Sequence, residues 1–216
     1  MPAMRGRSVL WSLFAAVLAT LVQPAASQAP GIDTSALVRF HSPSLGDAGA
    51  KVQIVEFFDP ACEGCRAIYP FVKQLLEEHR GRVRLTIRYV TFHKGADWIV
   101  KLLEAARRQG KFVETLDVLV ETQPQWAIKH VARLDLALRA VQPIGLQMDK
   151  LKADMAAPEL DALIKQDMQD AGTLKISRTP EFFVNGKPLA KLGLDELRSL
   201  VLQAVRESYG VPATKK

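Results

Sequence analysis

The 216-residue chain has only two cysteines, Cys62 and Cys65, and both lie in the stretch VEFFDPACEGCRAIYP, residues 55 to 70. A zinc site takes four protein ligands, or three and a water, so one such pair does not complete a site. The four histidines, His41, His79, His93 and His130, show no second ligand pair. No metal or other cofactor is therefore expected, although two thiolates suit soft Cu(I), and that alternative stays open. A stapling disulfide is also disfavoured, because closing so short a loop yields little chain entropy and that little is offset by strain.

Long apolar runs are missing too. The longest, VLWSLFAAVLATLV from residue 9 to residue 22, is about 14 residues, short of the ~20 a spanning helix needs. It follows Arg5 and Arg7 and precedes the small residues of QPAASQA, which is the pattern of an export signal. Cleavage after Ser27 fits best, with Ala25 and Ser27 at the two key positions and Ala26 or Ala29 as other possible cleavage points. The expected organisation is a signal peptide over residues 1–27 and one folded domain over 28–216. An exported protein meets an oxidising compartment, here a periplasm, where thiols pair and disulfides persist.

No basic block stands out. The net charge of +6 falls to +4 once Arg5 and Arg7 leave with a signal that carries no acid. The remaining Lys and Arg are scattered among acids, which reads as a solvated surface and excludes a nucleic-acid footprint. No internal repeat is visible. Met148, Met155 and Met168 are too spread for a copper-binding run and read as core filler.

Along the remaining chain, residues 28 to 36 look like a flexible lead-in, and SPSLGDAGA (42 to 50) reads as turn. KVQIVEFF (51 to 58) is β-branched and aromatic, which suits a buried strand. From Cys62 to His79 the apolar residues Ile68, Phe71, Val72, Leu75 and Leu76 recur at helical spacing, with Pro70 inside and expected to kink the helix. VRLTIRYV (83 to 90) follows as a second strand, completing a βαβ unit. A helical insert occupies about 95–171, including a helical run from Ile128 to Ala140. EFFV (181 to 184) and Asn185-Gly186 then predict a hairpin, and a final helix runs from Leu194 to about Ser208. Trp98 reads as a packed indole, His93 as a boundary histidine, and Trp126 as a lid or core aromatic.

The cysteine spacing suits thiol–disulfide exchange. A cysteine placed after a strand at the start of a helix has unpaired N–H groups and the positive end of the helix dipole beside its sulfur, and both favour the thiolate. Cys62 has that position. Cys65, one turn on, is placed to attack a mixed disulfide formed at Cys62 and release the substrate. Glu56, six residues before Cys62 on the first strand, could exchange a proton with Cys65 from beneath. Thr179-Pro180, just before EFFV, is an X-Pro bond of the type that tolerates cis.

Together, VEFFDPACEGC, the downstream TPEFFVNG and the helical segment between them resemble the thioredoxin fold, and most closely the DsbA-like thiol-disulfide oxidoreductases. The resemblance implies an α/β thioredoxin fold with a helical insertion between the second strand and the C-terminal β-hairpin. It also implies Cys62 as nucleophile, Cys65 as resolving thiol, Glu56 as buried proton acceptor, and Thr179 with cis-Pro180 as the loop that packs on the disulfide. Its partners would be exported proteins with thiols or disulfides, plus a redox partner that recycles the pair, and the protein would be a monomer. Glu63 and Gly64 stand where DsbA has Pro-His. A carboxylate replaces a cation-capable residue there, and like charge disfavours a thiolate, so a less oxidising couple is expected. Thr179 before the proline is closer to isomerase and copper-resistance relatives, which leaves the direction of electron flow open.

Overall fold

The computed structural model describes residues 34 to 210. The expected signal over residues 1–27, its cleavage site and the terminal Lys215 and Lys216 lie outside the described residues. In chain order the elements are β1 (Ser44–Gly46), β2 (Val52–Phe58), α1 (Glu63–Glu78), β3 (Val83–Tyr89), α2 (Ala96–Arg107), α3 (Phe112–Glu121), α4 (Gln123–Trp126), β4 (Ala127–Ile128), β5 (Val131–Ala132), α5 (Leu134–Ala140), α6 (Met148–Met155), α7 (Pro158–Thr173), β6 (Glu181–Val184), β7 (Lys187–Pro188) and α8 (Leu194–Tyr209).

Strand β2 is buried on both faces, which is why VQIVEFF reads as a nearly unbroken apolar run instead of an alternating one. Parallel β3 and antiparallel β6 flank it, giving the sheet order β1-β3-β2-β6-β7. The side-chain period of two sends Ile54 and Phe58 into the large core shared with α1 and α8, and Val55 and Phe57 into a smaller one under α7 with Phe183 and Ala171. Glu56, between Ile54 and Phe58, therefore shares the face of the α1 core. Helix α1 buries Cys65, Ile68, Tyr69, Val72 and Leu75 and carries Pro70 inside it. This is an α/β thioredoxin-like fold with the helical segment inserted between β3 and β6.

Several expectations need correction. The insert is not all helix: β4 and β5 form a two-stranded ribbon, and the helix expected from Ile128 begins only at Leu134. Lys129 and His130 take φ of 51° and 61°, the two-residue left-handed turn that joins hairpin strands, so the apolar periodicity there belongs to a ribbon. Ser44–Gly46, inside the stretch read as turn, is an edge strand paired with β3. Residues 28 to 36 are not uniformly a loose lead-in, since Thr34–Ala36 form a 3-10 turn and Ala36 and Leu37 are buried. Trp98 is 45% exposed, with the Lys101 ammonium 4.7 Å from its ring, so it is a surface indole. Trp126 is a core aromatic whose indole N–H donates to the Leu119 carbonyl at 3.0 Å.

Candidate active site

The end of β2 and the start of α1 are joined by Asp59, Pro60, Ala61 and Cys62. Cys62 is the residue before the first helical turn of α1, with extended backbone angles and no side-chain cap. The N–H groups of that first turn have no partner within the helix and are free to face its sulfur. Only 7% of Cys62 is exposed, while Cys65 is wholly buried, and both are free thiols. The Cys62 thiol lies 3.3 Å from the main-chain oxygen of Thr179, to which it donates. The Thr179-Pro180 bond is cis.

These contacts push the two thiols apart in acidity. Cys62 is lowered to about 5, chiefly by a hydrogen bond from the Cys65 side chain; burial opposes this, and the Thr179 side chain and the N–H groups of Cys65 and Gly64 add to the lowering. Burial drives Cys65 well above the usual thiol range, as do its hydrogen bond to Cys62 and the charges of Glu56 and Cys62, while the Asp59 N–H pulls the other way. Glu56 is fully buried and raised to about 8, first by loss of solvent and then by the charge on Cys62. Neither of its carboxyl oxygens has a hydrogen-bond partner among the described residues. A buried neutral carboxyl, a buried thiol and a thiolate-favouring sulfur therefore share one face of the sheet.

Gly64 fits closely under the proline loop. A Cβ at this position would stand 3.2 Å from Cδ of Pro180 and 3.5 Å from the Cys62 sulfur. Glu63 is exposed in the first turn of α1, where a carboxylate favours the helix dipole. It is not among the groups that chiefly set the acidity of Cys62.

Two residues escaped the sequence reading. Asp59 is wholly buried, and its carboxylate accepts from the Ala61 N–H at 2.8 Å and the His93 N–H at 2.9 Å. Its contact to Ala61, two residues on, is an Asx turn, and the dipeptide Asp-Pro was the available signal. Gln123, in the insert, donates its amide to the carbonyls of Pro60 at 2.8 Å and Cys62 at 3.0 Å. Nothing local in the sequence marks a residue 61 positions from Cys62. His93, read as a boundary residue, faces Asp59 through Nδ1 at 2.8 Å.

Comparison with known proteins bears on the family and the fold. A family model described as thioredoxin matches residues 40–202. The chain is 32% identical over 149 residues to a Na(+)/H(+) antiporter NhaA 3 of Salinispora tropica, covering 66% of this chain and 21% of that protein. It is 23% identical over 204 residues to a putative protein-disulfide oxidoreductase of Rickettsia bellii, covering 89% of this chain and 77% of that one. Thus the chain spans only about a fifth of the first curated relatives it matches, 21% in each of two Salinispora antiporters. Among solved structures, a thioredoxin-like oxidoreductase from Silicibacter pomeroyi superposes with a TM-score of 0.69 at 30% identity, covering 80% of this chain and 96% of that one. BdbD of Bacillus subtilis superposes with a TM-score of 0.68 at 19% identity, covering 82% and 96%, a likeness of fold.

Proposed function

The chain belongs to the thioredoxin family, and from that we propose that it is a thiol-disulfide oxidoreductase of DsbA-like type acting through Cys62 and Cys65. The carrying observation is the split between the two thiols: Cys62 lowered to about 5 beside Cys65 held well above the usual range. In the oxidised protein, a substrate thiolate attacks the Cys62 sulfur, the Cys62–Cys65 bond breaks, and Cys65 leaves and takes up a proton. A second substrate thiolate then attacks its own sulfur in the mixed disulfide. The substrate departs oxidised and Cys62 departs as the thiolate, so two electrons end on the cysteine pair.

Glu56 is the proposed proton handler for Cys65. Its carboxyl is the buried acid that acts on Cys65, and at about 8 it can give or take a proton near neutral pH. Thr179 and Pro180 are proposed to form the loop against which the substrate chain lies. Proteins with free thiols or disulfides are the proposed substrates, a separate redox protein recycles the pair, and the protein acts in the periplasm as a monomer. Among the described residues no helix is long and apolar enough to cross a membrane.

Oxidising strength follows the acidity of the nucleophile, because a strong oxidant is one whose reduced form is stabilised. A value of about 5 lies between the ~3.5 of DsbA and the ~7 of thioredoxin. We therefore place the couple below DsbA as an oxidant, at a potential more negative than about −120 mV. The Cu(I) reading has less support, because a relative matched along 89% of this chain is named a putative protein-disulfide oxidoreductase.

The test is a trap combined with a titration. Cys65→Ala should accumulate mixed disulfides through Cys62 with exported proteins, and equilibration of the wild-type pair with glutathione gives the potential. Absence of any trapped protein would sink the activity, and a potential as high as DsbA's would sink the ranking.

A further inference from the structure

Asp59 holds the turn before Cys62 with both its backbone and its side chain. Its carbonyl accepts the Cys62 N–H at 3.0 Å, and its own N–H acts on the Cys65 sulfur. Its carboxylate has three partners, and two of them are main-chain N–H groups: Ala61 at 2.8 Å and His93 at 2.9 Å. The third is His93 Nδ1 at 2.8 Å. Beside a buried acceptor, that ring nitrogen carries the proton, so Nε2 is the ring's free position. The same ring stacks on His130, with centroids 5.5 Å apart and planes at 24°. His130 belongs to the β4–β5 turn, and β5 pairs with the backbone of Lys94, next to His93. The insert ribbon, the β3–α2 loop and the cysteine turn are thus joined through one imidazole.

We infer that Asp59 and His93 form a positioning pair for the resolving step, an inference that rests on the exchange activity proposed above. Neither residue reacts. The imidazole donates to the carboxylate, the carboxylate fixes the 59–62 turn, and the turn aims the Asp59 N–H at Cys65. The Cys65 sulfur needs that donor most when it becomes a thiolate in order to attack. In the step concerned, the Cys65 thiolate attacks the Cys62 sulfur of a Cys62–glutathione mixed disulfide. The Cys62–Cys65 bond forms, the bond to glutathione breaks, and glutathione leaves as a thiolate that takes up a proton. Cys65 rises from the thiolate to the disulfide level while glutathione falls from the disulfide to the thiolate level, which completes the two-electron oxidation of the pair begun when the mixed disulfide formed.

All three partners of the Asp59 carboxylate are donors, so the pair can be dissected by changing one donor at a time. Asn at position 93 can place an amide N–H where Nδ1–H stands; Leu cannot. Mixed disulfide is prepared on His93→Leu, His93→Asn and wild type, and the single-turnover release of glutathione is followed, with thermal melting recorded in parallel. We expect His93→Leu to resolve about tenfold more slowly, in keeping with the loss of one charge-assisted hydrogen bond, and His93→Asn to stay within about twofold of wild type. Attack of Cys62 on an added disulfide should be much less affected in both. A folded His93→Leu that resolves at the wild-type rate overturns the inference, as does a His93→Asn as slow as His93→Leu. Should His93→Leu fail to fold, Asp59→Ala supplies the second measurement: it leaves the Ala61 and His93 N–H groups and Nδ1 without the carboxylate, and unchanged resolution in it overturns the inference equally. Wild-type protein that forms no mixed disulfide at Cys62 would remove the exchange activity itself, an outcome distinct from either.

Discussion

Gly64 and Pro180 approach so closely that a methyl group on the glycine would lie 3.2 Å from the proline Cδ. Gly64 is in the first turn of α1, where glycine is a poor helix former, about 1 kcal/mol worse than alanine. Its presence costs helix stability and leaves room for the loop that touches the Cys62 sulfur. Gly64→Ala should therefore gain about 1 kcal/mol in the helix and lose a similar ~1 kcal/mol to crowding. Its melting temperature should stay within about 3 °C of wild type. Exchange with a protein thiol should fall several-fold, because the Thr179-Pro180 loop must give by a few tenths of an ångström. Turnover equal to wild type, measured with a fluorescent dithiol peptide, would show that this gap has no bearing on substrate.

The acidity of Cys62 sets the pH dependence of its reactions. With Cys62 at about 5, alkylation of the reduced protein by iodoacetamide should rise through pH 5 and be flat by about pH 7. An ordinary thiol would instead still be rising through pH 8. The lowered value also links to stability. The thiolate contribution to the reduced fold is fully present above the ordinary thiol value near 9. It declines as pH falls and is gone below about 5. The oxidised fold has no such thiolate. The stability difference between reduced and oxidised protein should accordingly shift in favour of the reduced form between pH 5 and pH 9, as read by urea unfolding with and without reductant.

The strand β2, the helix α1 and the cysteine positions were legible because their signals are local: a β-branched run, a 3.6-residue apolar repeat, and two thiols one turn apart. Glu56 was legible from register alone, since a residue between Ile54 and Phe58 on a strand buried on both faces has no route to solvent. Gln123 and His93 were not, because each acts across the fold on a loop far away in sequence. The β4–β5 ribbon was hidden for a different reason. Two paired residues on each side of a Lys129-His130 turn are too few to set a period of two, and neither turn residue is the glycine that marks such turns.

Glu56 should be a stability cost at neutral pH that its chemistry requires. Burial raises it from 4.5 to about 8. Its effect on stability is therefore nil below pH 4.5, where the carboxyl is neutral both folded and unfolded. As pH rises from 4.5 to 8 the unfolded chain ionises while the folded one resists, and stability is progressively lost. Glu56→Gln removes that loss. The variant should be more stable than wild type at pH 8, by about 2 kcal/mol or more, and indistinguishable from it near pH 4. Its resolving step, with no proton handler beside Cys65, should be slower. A stability difference that does not grow with pH would place the Glu56 carboxyl in water.

Arg88 supports the other face of the sheet through a buried cluster of opposite charges. The guanidinium is fully buried and bonds Asp167 at 2.8 Å, Asp170, and the carbonyl of Ala36, so it ties β3 to α7 and to the 3-10 turn before β1. Asp167 is itself wholly buried and also meets His41 at 2.7 Å. Removing the guanidinium leaves Asp170 with Arg39 and the buried Asp167 with His41 and the Tyr89 N–H, two carboxylates short of their shared cation, so Arg88→Met should cost about 3 kcal/mol at pH 7. The pH dependence gives a second, independent reading. Burial pushes the Asp170 carboxyl up, but Arg39 and Arg88 outweigh it and hold it at about 2, below the ordinary 3.8. That stability is complete above pH 3.8 and is lost as pH falls through 2. The gap between wild type and Arg88→Met in urea unfolding should therefore narrow toward pH 2, because acid removes from the wild type part of what the substitution has already removed from the variant.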